Sequence, residues 1–226
     1  MEFLSNYIWK KNVRETNEDS LSIKQVVING KTLLMAIVCD GIGSLPEGEL
    51  SSSFVVSSLK AQFEQVGRHR KNSLKTISHL LSRQLYSCHE ELKERGMGTT
   101  ACVVVVQGRR AVAISVGDSR IYIGRRKMKQ ISRDTVDARG RLTAAIGVGS
   151  YKGLQQRRLR IRKDCKILIC TDGFYRRNEE IVGSFGGLLK KRNEEAIEEV
   201  LTTINNWGRE KGEKDNASAI AIWRIK

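Results

Sequence analysis

Two almost uninterrupted apolar runs, residues 101–106 and 111–116, are separated only by Gln107-Gly108-Arg109-Arg110. Four linking residues suffice for a hairpin, whereas a parallel crossover needs a dozen or more. The pair is therefore predicted to be antiparallel. Neither run alternates with polar residues, so both faces of the sheet must be covered. Runs of similar character occur at 33–39, Lys166–Cys170 and 217–222, and an earlier strand is expected at 21–28. Residues 121–123 and 128–131, joined by Gly124-Arg125-Arg126-Lys127, read as a second hairpin.

The cover for these strands is predicted to be helical. Residues 47–66 place Leu50, Phe54, Val55, Leu59 and Phe63 on one stripe, and 74–93 do the same with Leu74, Ile77, Leu81, Leu85 and Cys88. A third stripe, Ile197, Val200, Leu201 and Ile204, lies within 194–207. Strands and helices come in blocks rather than alternating, which points to an α+β fold with helices on an antiparallel double sheet. The 226 residues contain no internal repeat or linker and are expected to form one domain, 1–226.

Five cysteines without a C-x-x-C pair, four of them in or beside apolar runs, suggest buried reduced thiols and a cytoplasmic protein. No apolar run approaches the ~20 residues that cross a bilayer, so no membrane association is expected. The formal charge is +15. It admits nucleic acid, acidic surfaces or phosphorylated protein as partners. No basic platform interleaved with aromatics supports specific nucleic-acid binding. Between Arg120 and Lys163 stand fourteen basic residues and only two acids, a net +12. This stretch reads either as a solvated face of hairpins or as a basic rim that steers anionic partners toward the site.

Acidic residues recur where the apolar strands stop. The run 33–39 ends in Asp40-Gly41, the run 111–116 in Gly117-Asp118, and Lys166–Cys170 in Thr171-Asp172-Gly173. Asp215-Asn216 precedes the last strand, and Asn17-Glu18-Asp19 precedes an early one. Carboxylates gathered at one rim repel each other unless cations neutralise them. Bound metal is the simplest solution. The donors are all oxygen, which suits magnesium or manganese and disfavours zinc; calcium stays open. His69, His79 and His89 fall on or beside the second helix and read as solvated or packed side chains.

Seven motifs then occur in order. They are Arg14-x-x-Asn17-Glu18-Asp19-Ser20, Val38-Cys39-Asp40-Gly41-Ile42-Gly43, Gly48-Glu49 and Gly98-Thr99-Thr100. Val116-Gly117-Asp118-Ser119-Arg120, Ile169-Cys170-Thr171-Asp172-Gly173 and Lys214-Asp215-Asn216-Ala217-Ser218 complete the set. Together they resemble a bacterial member of the PP2C family of metal-dependent serine/threonine protein phosphatases. The likeness runs from about residue 10 to the C-terminus.

The resemblance implies an αββα sandwich with a centre of two Mn²⁺ or Mg²⁺ ions. Asp40 would bridge both, Asp172 and Asp215 would ligate one, and the Gly41 carbonyl the other. Asp118 with Asp172 would hold a weaker third ion. Glu18, Asp19 and Asn216 would orient bound waters, and Arg14 would grip the substrate phosphate. The implied reaction is hydrolysis of phosphoserine and phosphothreonine in proteins by a metal-bridging water, in a monomer acting on targets of a cognate kinase. The alternative is a catalytically weak regulatory or binding module of the same fold.

Three positions depart from the family pattern. Arg176 stands where a second acid belongs in the D-G-x-x-D motif, and it is expected to weaken the third ion. Only residues 135–141 occupy the place of a flap subdomain, which predicts an open cleft and loose substrate choice. Ser44 replaces a glycine of the D-G-x-G-G turn, a change the backbone is expected to tolerate.

Overall fold

The computed structural model describes residues 2–28, 30–67 and 73–226. In chain order the strands are β1 (Phe3–Lys10), β2 (Asp19–Ile28) and β3 (Lys31–Asp40), followed by helices α1 (Gly48–Gly67) and α2 (Leu74–Glu94). Then come β4 (Ala101–Gln107), β5 (Arg110–Val116), β6 (Arg120–Gly124), β7 (Met128–Gln130), β8 (Ala144–Ala145), β9 (Val148–Gly149), β10 (Gln155–Arg160) and β11 (Lys166–Cys170). The chain closes with α3 (Asp172–Tyr175), α4 (Glu179–Leu188), α5 (Glu194–Glu210) and β12 (Ala217–Arg224).

Two five-stranded antiparallel sheets form, in the orders β1-β12-β11-β6-β7 and β10-β5-β4-β3-β2. The expected hairpins are both present, β4–β5 and β6–β7. Strand β3 explains why its sequence lacks polar alternation. Leu34, Ala36 and Val38 meet the opposite sheet, packing with Ile121, Ile167, Ile169, Ile220 and Ile222. Leu33, Met35, Ile37 and Cys39 meet the helices, packing with Val55, Leu59, Phe63, Ile77 and Leu81. Period-two geometry sends alternate side chains into two different cores, so both parities must be apolar. The second sheet does the same, turning Leu168, Cys170, Ala219 and Trp223 toward Val182, Phe185, Ile197 and Leu201. The result is the αββα sandwich.

Some local expectations shift. Leu50 is half exposed rather than packed on the α1 stripe. Ser51 and Ser52 face inward there instead, donating to the carbonyls of Gly48, Gly98 and Glu18 at 2.6–2.8 Å. Those loop carbonyls need donors that a leucine lacks. His89 is buried and accepts the Gly147 N–H through Nδ1 at 3.1 Å, and His79 is exposed. His69 lies outside the described residues. All five cysteines are buried and unpaired. Among the described residues no helix is long and apolar enough to cross a membrane.

Candidate metal centre

Strand ends deliver the acidic residues to one rim. Asp40 closes β3, Asp118 lies in the β5–β6 turn, Asp172 opens α3 after β11, and Asp215 precedes β12. Arg14 and Glu18 come from the β1–β2 loop. These six side chains, with Gly41, line one open cleft of about 680 Å³. Asp19 lies beside it, fully buried and paired with Asp40 across the β2–β3 ladder.

The supports explain why the motifs take these residues. Asp40 is held through its backbone: its N–H donates to Thr100 Oγ1 at 3.0 Å, and its carbonyl accepts from Thr99 Oγ1 and the Thr100 N–H at 2.8 Å. Gly41 must be glycine, because a Cβ there would collide with the Gly48 carbonyl. A Cβ on Gly173 would likewise strike the Asn216 carbonyl, so Asp172 and Asp215 sit on closely apposed backbone. Asn216 spends its whole amide on the loop that carries Arg14 and Glu18. It accepts the Glu18 N–H at 2.9 Å and donates to the Lys11 and Thr16 carbonyls at 2.9 and 3.0 Å. Asn12 closes the other side by donating to the Asp215 carbonyl at 2.7 Å.

Like charges at this density show in the acid–base properties. Burial pushes the Asp40 carboxyl well above the ordinary range, and Asp19, Asp118 and Asp215 add repulsion that Arg176 partly offsets. Burial also raises Asp19 and Asp118. Glu18 rises through burial and through Glu49. Thr171 donates to one Asp19 oxygen at 3.0 Å, while the other is buried without a partner. An unsatisfied buried carboxylate oxygen is costly unless a cation or water meets it.

Arginines stand among the carboxylates. Arg14 Nε lies 3.0 Å from Asp215. Arg176 pairs closely with Asp172 and approaches Asp215 and Glu213 at 3.8 and 3.9 Å. Among the described residues, no three acidic, histidine or cysteine side chains converge closely enough to clasp an ion as they stand. The donor chemistry nevertheless fits a hard divalent cation: crowded oxygens, raised carboxyls and one orphaned carboxylate atom.

Other side chains set the site without having been singled out in the sequence. Arg120 is stacked 3.8 Å from the Tyr175 ring and forks onto Asp134 at 2.8–3.2 Å. Tyr175 in turn donates to the Asp118 carbonyl at 2.9 Å. An arginine directly after the G-D-S triplet was the available signal, but Asp134 is identified as its partner only by the fold. As expected, the place of a flap holds only a tight turn at 135–141. Asp137 accepts the Arg139 and Arg141 N–H groups at 2.8 and 3.0 Å, and a lone bridge joins Val136 to Leu142.

The basic stretch contributes nothing to the lining of the cleft. None of the fourteen basic residues between Arg120 and Lys163 lines the cleft, whose cation is Arg14. Arg120 and Arg141 are engaged by local acids. Arg157, Arg158 and Arg160 project from β10, an edge strand, where charge discourages pairing with other chains. Part of the stretch gathers away from the cleft instead: Arg160, Arg162 and Lys163 share a surface with Arg109 and Arg224, and Arg125 and Arg126 share one with Lys166.

A two-sheet sandwich with a carboxylate cleft at one rim defines a candidate hydrolytic centre dependent on divalent cations. A family model described as protein phosphatase 2C matches residues 12–218. The chain belongs to that family, in which dependence on manganese or magnesium is general. No curated protein matches it in sequence.

Solved structures match throughout the chain. PppA, a regulatory component of the T6SS in Pseudomonas aeruginosa, is 22% identical with a TM-score of 0.79, over 98% of this chain and 97% of its own. The S. agalactiae serine/threonine phosphatase is 16% identical at 0.81, over 99% and 100%. Stp1 from Staphylococcus aureus is 22% identical at 0.78, over 98% and 94%.

Proposed function

We propose that residues 1–226 form one catalytic domain that hydrolyses phosphoserine and phosphothreonine in proteins with two bound Mn²⁺ or Mg²⁺ ions. The observation that carries this reading is the convergence of Asp40, Asp118, Asp172 and Asp215 with an exposed arginine on one open cleft. Asp40, the Gly41 carbonyl, Asp172 and Asp215 would hold the ion pair, and Asp118 with Asp172 a weaker third ion. Bound ions of this kind acidify water and offset charge on phosphoryl oxygens.

The chain's own groups supply the positioning. Arg14 carries a fork of donors suited to phosphate oxygens, and Asp215 orients that fork from 3.0 Å. Asn216 fixes the loop that carries Arg14 and Glu18. Asp19 draws on Thr171 and leaves one oxygen free to accept from a water beside Asp40. A water activated by bound divalent ions would serve as the nucleophile, so the reading needs no covalent phosphoenzyme. Hydrolysis would then rest on positioning and charge. Arg176 brings a fixed positive charge against Asp172, which opposes the third ion. The tight turn at 135–141 leaves the cleft open, so discrimination among phosphopeptides is expected to be weak. Its substrates would be phosphorylated proteins, the targets of a cognate kinase.

The test is phosphate release from a phosphothreonine peptide in Mn²⁺, expected to stop with chelator and in Asp40→Asn. Absence of metal-dependent release from a panel of phosphopeptides would overturn the reading.

A further inference from the structure

The far end of the sandwich holds a second charged cavity, of about 570 Å³. Its residues lie at the start of β11 (Lys166), the end of β12 (Trp223), the β6–β7 turn (Arg125, Arg126) and just after α4 (Lys190, Arg192). The opposite ends of β11 lead to Lys166 and to Asp172, roughly 15–20 Å apart at the ordinary strand rise. The cavity is therefore separate from the metal centre.

Charge here is unbalanced. Five basic side chains line the pocket against a single acid, Asp164. That carboxylate is already shared by Arg192 at 2.8 Å and Arg125 at 3.8 Å. Lys166 is only 6% exposed, and its Nζ sits 4.4 Å from the Trp223 ring. No carboxylate reaches that ammonium within ion-pair distance among the described residues. Arg126 and Lys190 are likewise without an acidic partner there. The Trp223 indole N–H is buried and also unpartnered. Burial lowers the Lys166 pKa; Asp164 opposes this, while Arg125 and Arg192 add to it. The Trp223 face attracts this ammonium, but a desolvated cation facing a cavity rimmed by other cations still lacks a counter-charge that an anion would supply.

The walls are preformed. The backbone carbonyls of Arg125 and Arg126 lie so close over Gly186 of α4 that a side chain there would collide with them. The Asp164 N–H donates to the Arg224 carbonyl at 2.8 Å, fixing the other wall.

We propose that this pocket binds a dianionic phosphoryl group away from the metal centre. A tetrahedral dianion offers several oxygens to three guanidinium forks and two ammonium groups, whereas a monoanion would leave most of the charge unmet. The group has two sources, free inorganic phosphate and a phosphorylated side chain of a protein. The proposal does not depend on catalysis at the other end.

The test uses metal-free protein in chelator at constant ionic strength, followed by the ¹⁵N-labelled indole signals of Trp9, Trp207 and Trp223, assigned with Trp223→Phe. Inorganic phosphate and a phosphothreonine peptide are titrated separately. The Trp223 signal is expected to move saturably with at least one of them. The double variant Arg126→Glu/Lys190→Glu, altered at exposed positions, is expected to weaken that midpoint by about tenfold or more. Its Mn²⁺-dependent activity on a small phosphoester should match wild type. Response to phosphate assigns the free ion, and response to the peptide alone assigns a protein ligand. No saturable movement with either probe, or undiminished movement in the double variant, overturns the proposal. Because metal and turnover play no part, its failure is distinguishable from failure of the phosphatase reading.

Discussion

Strands β11 and β12 run between two ends of opposite chemistry. Their active-site ends lead to Asp172 and Asp215, and their far ends carry Lys166, Trp223 and Arg224. Between these ends the side chains are buried and almost wholly apolar. Each end concentrates one sign of charge on a rigid rim, and neither balances it fully from within. At the acidic end Arg14 and Arg176 reach in from loop and helix, yet an Asp19 oxygen stays orphaned. At the basic end Asp164 answers two arginines and leaves Lys166 unmatched. A strand delivers its terminal residues to a fixed place, so like charges gathered there stand ready for a counter-ion from solution. Metal is the natural one at the first end and an anion at the second.

The strongest way to break this comparison is Asp40→Asn. Phosphate release should fall on the order of 10³-fold or more. The metal-free protein should instead gain about 1 kcal/mol in denaturant melts, because a crowded buried charge is removed. An active variant would take Asp40 out of the centre.

Arg176→Asp should tighten Mn²⁺ binding by about tenfold, since a cation is exchanged for a ligand beside Asp172 and Asp215. Calorimetric titration in chelator-treated protein reads this directly, and unchanged affinity would show that Arg176 does not compete.

At the other end, Lys166→Met should stabilise the protein by about 1 kcal/mol at neutral pH, replacing a desolvated charge by an apolar side chain of similar length. The sign of the pH effect follows from the lowered Lys166 pKa. The folded state binds fewer protons than the unfolded one between that lowered value and 10.5. Wild type therefore gains stability as pH rises through this window, and the advantage of the variant shrinks. A gap independent of pH would mean that Lys166 is not strained by burial.

The smallest effect belongs to the shared middle. Burial raises the pKa of all five thiols. A thiol reagent at pH 8 should find essentially none in the native protein and five after denaturation. Rapid native reaction would expose a looser core than the packing implies.

Much of this was legible in the residues. Hairpin spacing and unbroken apolar runs led to the double sheet, and D-G pairs at strand ends led to the cleft. What escaped detection has identifiable causes. β10, Gln155-Gln156-Arg157-Arg158-Leu159-Arg160, reads as polar because an edge strand buries little of itself. α4 contains Gly183, Gly186 and Gly187, which read as breakers, although Gly186 is there to admit the β6–β7 turn. β1 mixes Asn6 and Lys10 with apolar residues, and its pairing partner β12 lies more than 200 residues away in sequence.

By itself, then, the sequence determined the strand periodicity, the kind of donor at each strand end and the family pattern, because these are local properties of spacing and chemistry. Only the tertiary structure decided which charges share a surface. It kept the basic stretch 120–163 out of the lining of the cleft, set Arg176 against Asp172, and assembled Lys166, Arg126 and Lys190 from distant segments into one pocket. Coulomb energy depends on distance through space, and antiparallel turns send neighbouring residues to opposite ends of a sandwich while bringing remote ones together.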